Sequence, residues 1–414
     1  MRSWWLGGLL ALAACGDAIP PSTDAGPTDA ADLGVEDQGS DAGPNDAEQG
    51  DASGPDADSG APVTDGGPDA GSDGGSDAGQ TGGFAPYRVL SLNLHCLRLD
   101  GTPYASNQDR FAAVAALVAR EDVRVILAQE VCQRPGEAAQ DLLQAALQSA
   151  TSTTWSHHWV YAHEAWAGTP DAAQEGLAIF VRGALQAGRR VGYHRQGSLQ
   201  RVLVAARLPA SLGGLEVHSV HLDHAAPQTR AFQAEETSTY ALSSTTTLDL
   251  LIAGDFNDRI GSETLLGLSR HGFLHQTANL GTDEIDHVFV HRGARVTTDD
   301  PRLVFTAANE RVSDHPGVLL RVHPAAAPAV PVTRVTAEHQ GPGYLTVRGN
   351  NLPLRWDQGL VAWPAGPGRW TLALTELMPG PFEYKWLIDD LSWEVDANEQ
   401  GTAGQEHLDQ PVFP

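Results

Sequence analysis

Cysteine is scarce in this chain, basic charge is outnumbered, and apolar runs are short: 414 residues hold 3 Cys, and 26 Lys plus Arg stand against 52 Asp plus Glu. So few cysteines exclude a small disulfide-knotted scaffold. The acidic balance argues against broad attraction to long nucleic acid, although a local basic groove is compatible with an acidic surface. The apolar run from Trp4 to Ala14 is too short to span a bilayer, and no later segment is longer and apolar enough. No internal repeat is present, which sets aside solenoid and propeller architectures.

Lys and Arg are missing altogether between Asp17 and Gly83, a stretch built from Asp, Gly, Ala, Pro and Ser. It carries 16 of the 52 acidic residues, which leaves 36 acidic against 26 basic residues elsewhere, a net of −10. Such a composition cannot bury enough apolar surface to offset chain entropy, and disorder is expected. Ahead of it, Arg2, the apolar run and small residues before Cys15 have the layout of an export signal. The ending "LAAC" resembles a bacterial lipoprotein signal, in which cleavage leaves Cys15 as the lipidated first residue; an ordinary secretory signal with an incidental cysteine is the alternative. Lipidation would anchor the protein to a membrane, periplasmic or at the cell surface, on a tether with a coil span of roughly 45 Å. Export would also place the remaining pair, Cys96 and Cys132, in an oxidising compartment.

From Tyr87 onward the pattern becomes globular. "YRVLSLNLHC" sets Leu90, Leu92 and Leu94 on one face and Val89, Ser91 and Asn93 on the other, as a strand does. "NQDRFAAVAALVARED" then spaces Phe111, Val114, Leu117 and Val118 as a helix, and "VRVILAQEV" returns to a strand. Strand, helix, strand suggests a parallel pair. Further strands are expected at "EGLAIFVR", "RVLVAARL", "LEVHSVHL", "LDLLIAG", "EIDHVFVH" and "PGVLLRV", so two packed sheets covered by a few helices are predicted. The expected divisions are a signal over 1–15, an acidic tether over 16–83, a catalytic domain over 84–322, a Pro/Ala linker over 323–332 and a β-rich module over 333–414.

Several of these aliphatic strands end in polar residues: Asn93 in "LSLNLH", Glu130 in "ILAQEV", His221 in "HSVHLDH", Asp255 and Asn257 in "IAGDFN", Asp286 in "EIDHVFV", and Asp314 with His315 in "VSDHPGV". If the strand ran through 257, Asp255 and Asn257 would face the same way, Phe256 would turn into the packing, and Gly254 would allow a close approach. One such turn is commonplace. The whole set, in this order, resembles the endonuclease/exonuclease/phosphatase superfamily over residues 87–322, with "GDFN" and "SDH" as its most specific elements.

The resemblance implies a four-layer α/β sandwich and Mg²⁺- or Mn²⁺-dependent hydrolysis of phosphate esters. It implies that Glu130 is the principal metal ligand, with Asn93 and Asp314 assisting, a set of oxygen donors suited to a hard cation. His315 oriented by Asp286 would handle a proton. Asp255 would position the nucleophilic water, Asn257 would hold a phosphate oxygen, and His221 would stabilise developing charge. Glu175 sits where relatives carry the acid that orients this histidine, and Arg201 in "SLQRVLV" looks like a phosphate contact. Convergence of Asn93 and Glu130 on one metal would bring Cys96 and Cys132 close enough for a disulfide; two free thiols are the alternative. His287 stands where many relatives have an aromatic, and no residues for gripping DNA are evident. Nucleic acid, phospholipid and small phosphate esters all remain open as substrates.

The tail carries "GNNLPLRWD", "GRW", "FEYKW" and "WEVDANE", which resembles starch-binding modules, small β-sandwiches. Trp356, Lys385 and Trp393 match that family's glucan-contacting positions, and exposed aromatics suit the flat faces of sugars. The rival expectation is a structural or protein-binding β-module. A surface glycan-binding protein with an inert phosphoesterase-like domain is the alternative to an enzyme.

Overall fold

The computed structural model describes Phe84–Pro414 apart from Ala187 and Ala327, so the expected signal, Cys15 and the acidic tether lie outside the described residues. The first part of the chain runs β1 (Tyr87–Asn93), α1 (Asn107–Glu121), β2 (Val123–Gln129), the short β3 (Gln133–Arg134) and β4 (Glu137–Ala138), α2 (Ala139–Thr151), β5 (Trp155–Ala165), β6 (Ala173–Arg182), β7 (Arg189–Gly192) and β8 (Val202–Arg207). It continues with β9 (Glu216–His221), α3 (Pro227–Ser243), β10 (Leu250–Asp255), α4 (Glu263–Arg270), β11 (Phe273–His275), β12 (Asp286–His291), β13 (Val296–Val304) and β14 (Gly317–Pro324).

Alternation in β1 decides the layering. Leu90 and Leu92 pack with Phe111, Val114 and Val118 of α1, whereas Tyr87 and Val89 join a second apolar cluster that includes Val204, Val217, Leu251 and Val288 from the other sheet. Helix α1 begins where Ser106 accepts the Asp109 N–H, and it ends at left-handed Asp122. One sheet has the order β13-β14-β1-β2-β6-β3-β4 with β5 added to β6, and the other has the order β11-β12-β10-β9-β8-β7. A third cluster, with Leu203, Ile252 and Phe289, seals α3 and α4 onto the second sheet. The result is helices, sheet, sheet, helices: the four-layer α/β sandwich expected from the sequence.

Strand β1 is parallel to β2, and β9 is parallel to β10, so the polar residues at their C-terminal ends emerge at one edge of each sheet. Four α-helices are present among the described residues, and α2, α3, α4, β5, β7 and β13 had no expected counterpart.

The remainder is all β: β15 (Thr333–Glu338), β16 (Leu345–Gly349), β17 (Leu360–Val361), β18 (Trp363–Gly366), β19 (Arg369–Leu374), β20 (Pro381–Ile388), β21 (Ser392–Trp393), β22 (Glu399–Thr402) and β23 (Glu406–Asp409). Two sheets share one core containing Val335, Leu372, Val347, Tyr384 and Trp386. This module docks on α3. Tyr240 meets the Trp363 ring edge-on at 4.3 Å, Arg355 and Gln358 donate to Glu235, and the Ala373 N–H donates to Ser243.

Candidate active site

Strand register builds a row of polar side chains. Asp255 closes β10, and its direct neighbours across the sheet are His221, the last residue of β9, and Asp286, the first of β12. Gly254 is needed here because a Cβ would fall 2.0 Å from the Val220 carbonyl oxygen, in a backbone of φ 148°. The close approach is thus to the neighbouring strand. The strand ends at Asp255, earlier than alternation predicts. The Asn257 N–H donates to Asp255 Oδ1 at 2.8 Å, and this side-chain turn puts Asn257 in the left-handed region, with its Nδ2 donating to the Leu222 carbonyl at 3.0 Å. Phe256 is buried, as expected.

Facing this row from the other sheet are the ends of β1 and β2. Asn93 Nδ2 donates to Glu130 Oε1 at 2.9 Å and lies 3.3 Å from Asp255 Oδ2, which links the two sheets. His95, Cys96 and Glu130 all adopt left-handed conformations, each an energetic cost of order 1–3 kcal/mol. The Cys96 N–H donates to the Glu130 carbonyl at 3.0 Å, and Cys96 is joined to Cys132 by a disulfide. These bonds hold Glu130 where the chain alone would not put it.

Three side-chain nitrogens converge on one oxygen. Asp255 Oδ2 is approached by Asn93 Nδ2, by His221 Nε2 at 3.6 Å and by His315 Nε2 at 3.9 Å. His315 donates through Nδ1 to Asp286 Oδ2 at 2.7 Å. His221 receives at Nδ1 a hydrogen bond from Arg201 Nη1 at 3.1 Å. Glu175 lies 3.5 Å from Arg201 and 3.6 Å from His221, and β5–β6 pairing sets it opposite His163, whose Nε2 is 3.6 Å away. Arg201 Nη2 is also 3.4 Å from His224 Nδ1.

The electrostatics follow from crowding acids in a buried place. Burial, reinforced by Glu175 and Asp314, pushes the Glu130 carboxyl up to about 7 against the pull of Asn93 and His315. Burial likewise raises Asp286 to about 7, with His315 opposing and Asp255 and Glu284 adding to the rise. Burial, then the Arg201 charge, holds the His221 imidazole well below its ordinary value. His95 goes the other way. Burial alone would lower it, but Asp314, 3.0 Å from its Nδ1, together with Glu130 and Asp100 raises it.

Asn93 and Glu130 come together, and Asp314 lies 3.0 Å from Nδ1 of His95, two residues beyond Asn93. Glu130, His221 and Asp255 can bring ligand atoms within 4.8 Å of one another, and so can Asp255, Asp286 and His315. Carboxyls driven up to about 7 by burial, with neighbouring acids adding to the rise, are what a hard divalent cation would relieve, so the donor set fits Mg²⁺ or Mn²⁺.

Sequence reasoning missed His95, His163 and His224. His95 lies two residues beyond Asn93 and could have been noticed, whereas His163 is found only through the β5–β6 register. His287 is buried, with Nε2 2.9 Å from the Asp258 carbonyl and Nδ1 3.0 Å from His275. It braces the turn after Asp255.

The glycan-contact positions lie in the C-terminal module. Trp356 and Trp393 are exposed, 6.4 Å apart and inclined by 31°, with the Arg348 guanidinium over Trp393. Lys385 Nζ instead donates to the carbonyls of Glu394 and Asp396.

Residues 90–315 match the Endonuclease/Exonuclease/phosphatase family model. No curated protein matches the chain. Among solved structures it is similar to an endonuclease/exonuclease/phosphatase family protein from Leptotrichia buccalis, with 19% identity, a TM-score of 0.47 and coverage of 56% of this chain and 98% of that one. A counterpart from Beutenbergia cavernae has 17% identity and a TM-score of 0.45, covering 77% of this chain and 99% of its own. The human Nocturnin catalytic domain with bound sulfate has 15% identity and a TM-score of 0.45, with 57% and 94% covered.

Proposed function

Because the chain belongs to the endonuclease/exonuclease/phosphatase family, we propose that it is a divalent-metal-dependent phosphodiesterase, exported and lipid-anchored through Cys15, and of nuclease or phospholipase type. The observation that carries the catalytic part is the convergence of Asn93, His221 and His315 on Asp255 Oδ2. A buried carboxylate that accepts one hydrogen bond from Asn93, with two imidazole nitrogens within 4 Å, is arranged to position a water molecule and strip its proton. Glu130, Asn93 and Asp314 would hold Mg²⁺ or Mn²⁺, which when bound supplies charge neutralisation to an anionic ester.

The chain's own groups divide the rest. His221, neutral and protonated on Nε2, offers an N–H to the developing oxyanion. His315 is held by Asp286 with Nε2 directed into the site, where it can exchange a proton with the leaving oxygen. Asn257 gives one amide N–H to the Leu222 carbonyl and has a second to offer a phosphate oxygen. The signal-like N-terminus and the Cys96–Cys132 disulfide both suit an oxidising, extracytoplasmic location.

The test is nicking of supercoiled plasmid by tether-free protein in Mg²⁺, with a chelator and Asp255→Ala as controls. Nicking abolished by both supports a nuclease. Cleavage of an aryl phosphodiester without nicking moves the substrate to phospholipids or small esters, and no hydrolysis of either overturns the reading.

A second reading concerns the module: the exposed Trp356 and Trp393 pair suits α-glucan, as starch-binding modules do. Retarded migration in an amylopectin gel that Trp356→Ala abolishes would support it. Unchanged migration of the intact protein would leave the module a structural or protein-binding element.

A further inference from the structure

The junction between the catalytic layers and the C-terminal module encloses a cleft of about 660 Å³, away from the residues just described. Strand alternation fills it with cations. In β15, Val335 and Ala337 point into the module's core, so Arg334 and Thr336 face out. In β19, Leu372 and Leu374 point inward, so Arg369 and Thr371 face out on the same side, with Thr336 and Thr371 directly paired. Across the cleft, Leu203 and Ala205 of β8 pack toward α3, and Arg207 is next on that face, beside Arg189 of β7.

Four arginines therefore line one concavity in a chain of net charge −26. Two glutamates offset them only in part. Glu216 is buried and paired with Arg189, and Glu406 stands in register with Arg334, which itself donates to the Thr245 carbonyl. Arg207 and Arg369 have Glu216 and Glu338 as their cross-strand neighbours, yet make no ion pair or side-chain hydrogen bond among the described residues. The remaining lining is mostly hydroxyl, from six Ser and Thr residues, with no aromatic ring to stack a neutral sugar and no apolar wall for a lipid chain.

We propose that this junction is a second ligand site, for a compact anion bearing two or more phosphate groups. Guanidinium forks and hydroxyl donors are the groups that bind phosphate oxygens, and the cleft is several times larger than one phosphate needs, with Arg207 contributed by the catalytic layers and Arg369 by the module. An occupant would tie the module to the catalytic layers.

Isothermal titration of metal-free full-length protein with tripolyphosphate tests it. The expected result is one binding site, weakened at least tenfold by Arg207→Gln with Arg369→Gln and weakened progressively by NaCl. The active-site variant Arg201→Gln should bind as the parent does. Arg369→Gln alone, at an exposed position, should weaken binding severalfold with an unchanged melting temperature, which separates ligand loss from misfolding. No binding at millimolar concentration, or binding that follows Arg201 and ignores Arg207 and Arg369, overturns the proposal.

Discussion

Arg201 places a guanidinium nitrogen 3.1 Å from Nδ1 of His221, so a cation, with Glu175 behind it, faces the inner nitrogen of this imidazole. A guanidinium can only donate, so Nδ1 accepts, the proton resides on Nε2, and a second positive charge on the ring is disfavoured. The tautomer, with its proton on Nε2 as the proposed oxyanion role requires, is thus set by an arginine. Replacing Arg201 with Gln should lower kcat/KM by roughly 10²–10³-fold, the usual loss for one oxyanion donor. The His221 ring should then titrate closer to its ordinary range, as read by NMR. An unchanged rate would show that Arg201 has no part in this arrangement.

Metal affinity should depend on pH in a defined direction. The Glu130 carboxyl is raised to about 7, so below that pH it takes up a proton that a cation bound there must displace. Mg²⁺ binding is expected to weaken by up to about tenfold per pH unit from pH 7 downward and to level off above it. Calorimetry at pH 8, 7 and 6 would measure this. Equal affinities across the range would mean the carboxyl is ionised throughout.

The disulfide closes a sequence separation of 36 residues and anchors the loops carrying His95 and Glu130. On the chain-entropy model it contributes about 4 kcal/mol. A Cys96→Ala/Cys132→Ala variant should unfold at lower denaturant concentration and bind Mg²⁺ more weakly, since Glu130 loses its brace. The parent should react with a thiol reagent at these positions only after reduction.

Glu235 accepts hydrogen bonds from Arg355 at 3.0 Å and Gln358 at 2.8 Å, and Arg270 lies 3.7 Å away. Removing this carboxylate with Glu235→Ala strands two donors at the interface and should destabilise by about 2 kcal/mol, in the range for hydrogen bonds to charged groups. Turnover at 25 °C should be unaffected. A denaturation curve identical to the parent's would show that the module is loosely held.

The strands legible in the sequence were those with clean alternation or an unbroken aliphatic run, and the polar residues at their ends marked the site. Asn257 shows the limit of that reading: period two fails where the Asp255 carboxylate caps a turn, a local bond that alternation does not encode. Strand β5 was missed because "WSHHWVYAHEA" mixes aromatics and histidines on both faces at a sheet edge, leaving no apolar stripe. Its His163 is brought to Glu175 by register across β5 and β6. The cysteine pairing was legible through the family resemblance, which puts Asn93 and Glu130 on one metal and so brings their strand ends together. The cleft between the two parts was not, since Arg189, Arg207, Arg334 and Arg369 look like ordinary surface arginines until both sheets are placed.

Helix α3 has few surfaces left for water. Of its seventeen residues, the run from Phe232 to Ser243 is buried throughout, including Glu235, Glu236, Thr237, Ser238 and Thr239. An ordinary outer-layer helix would present such polar side chains to solvent, but here Glu236 and Thr237 meet His194 and Tyr193 of the catalytic layers, and the module supplies partners for Glu235 and Ser243. The catalytic portion is therefore no interchangeable cassette. Cut free, it would present a mixed polar and apolar scar shaped for one particular neighbour, and grafting a different module there would require rewriting α3 as well.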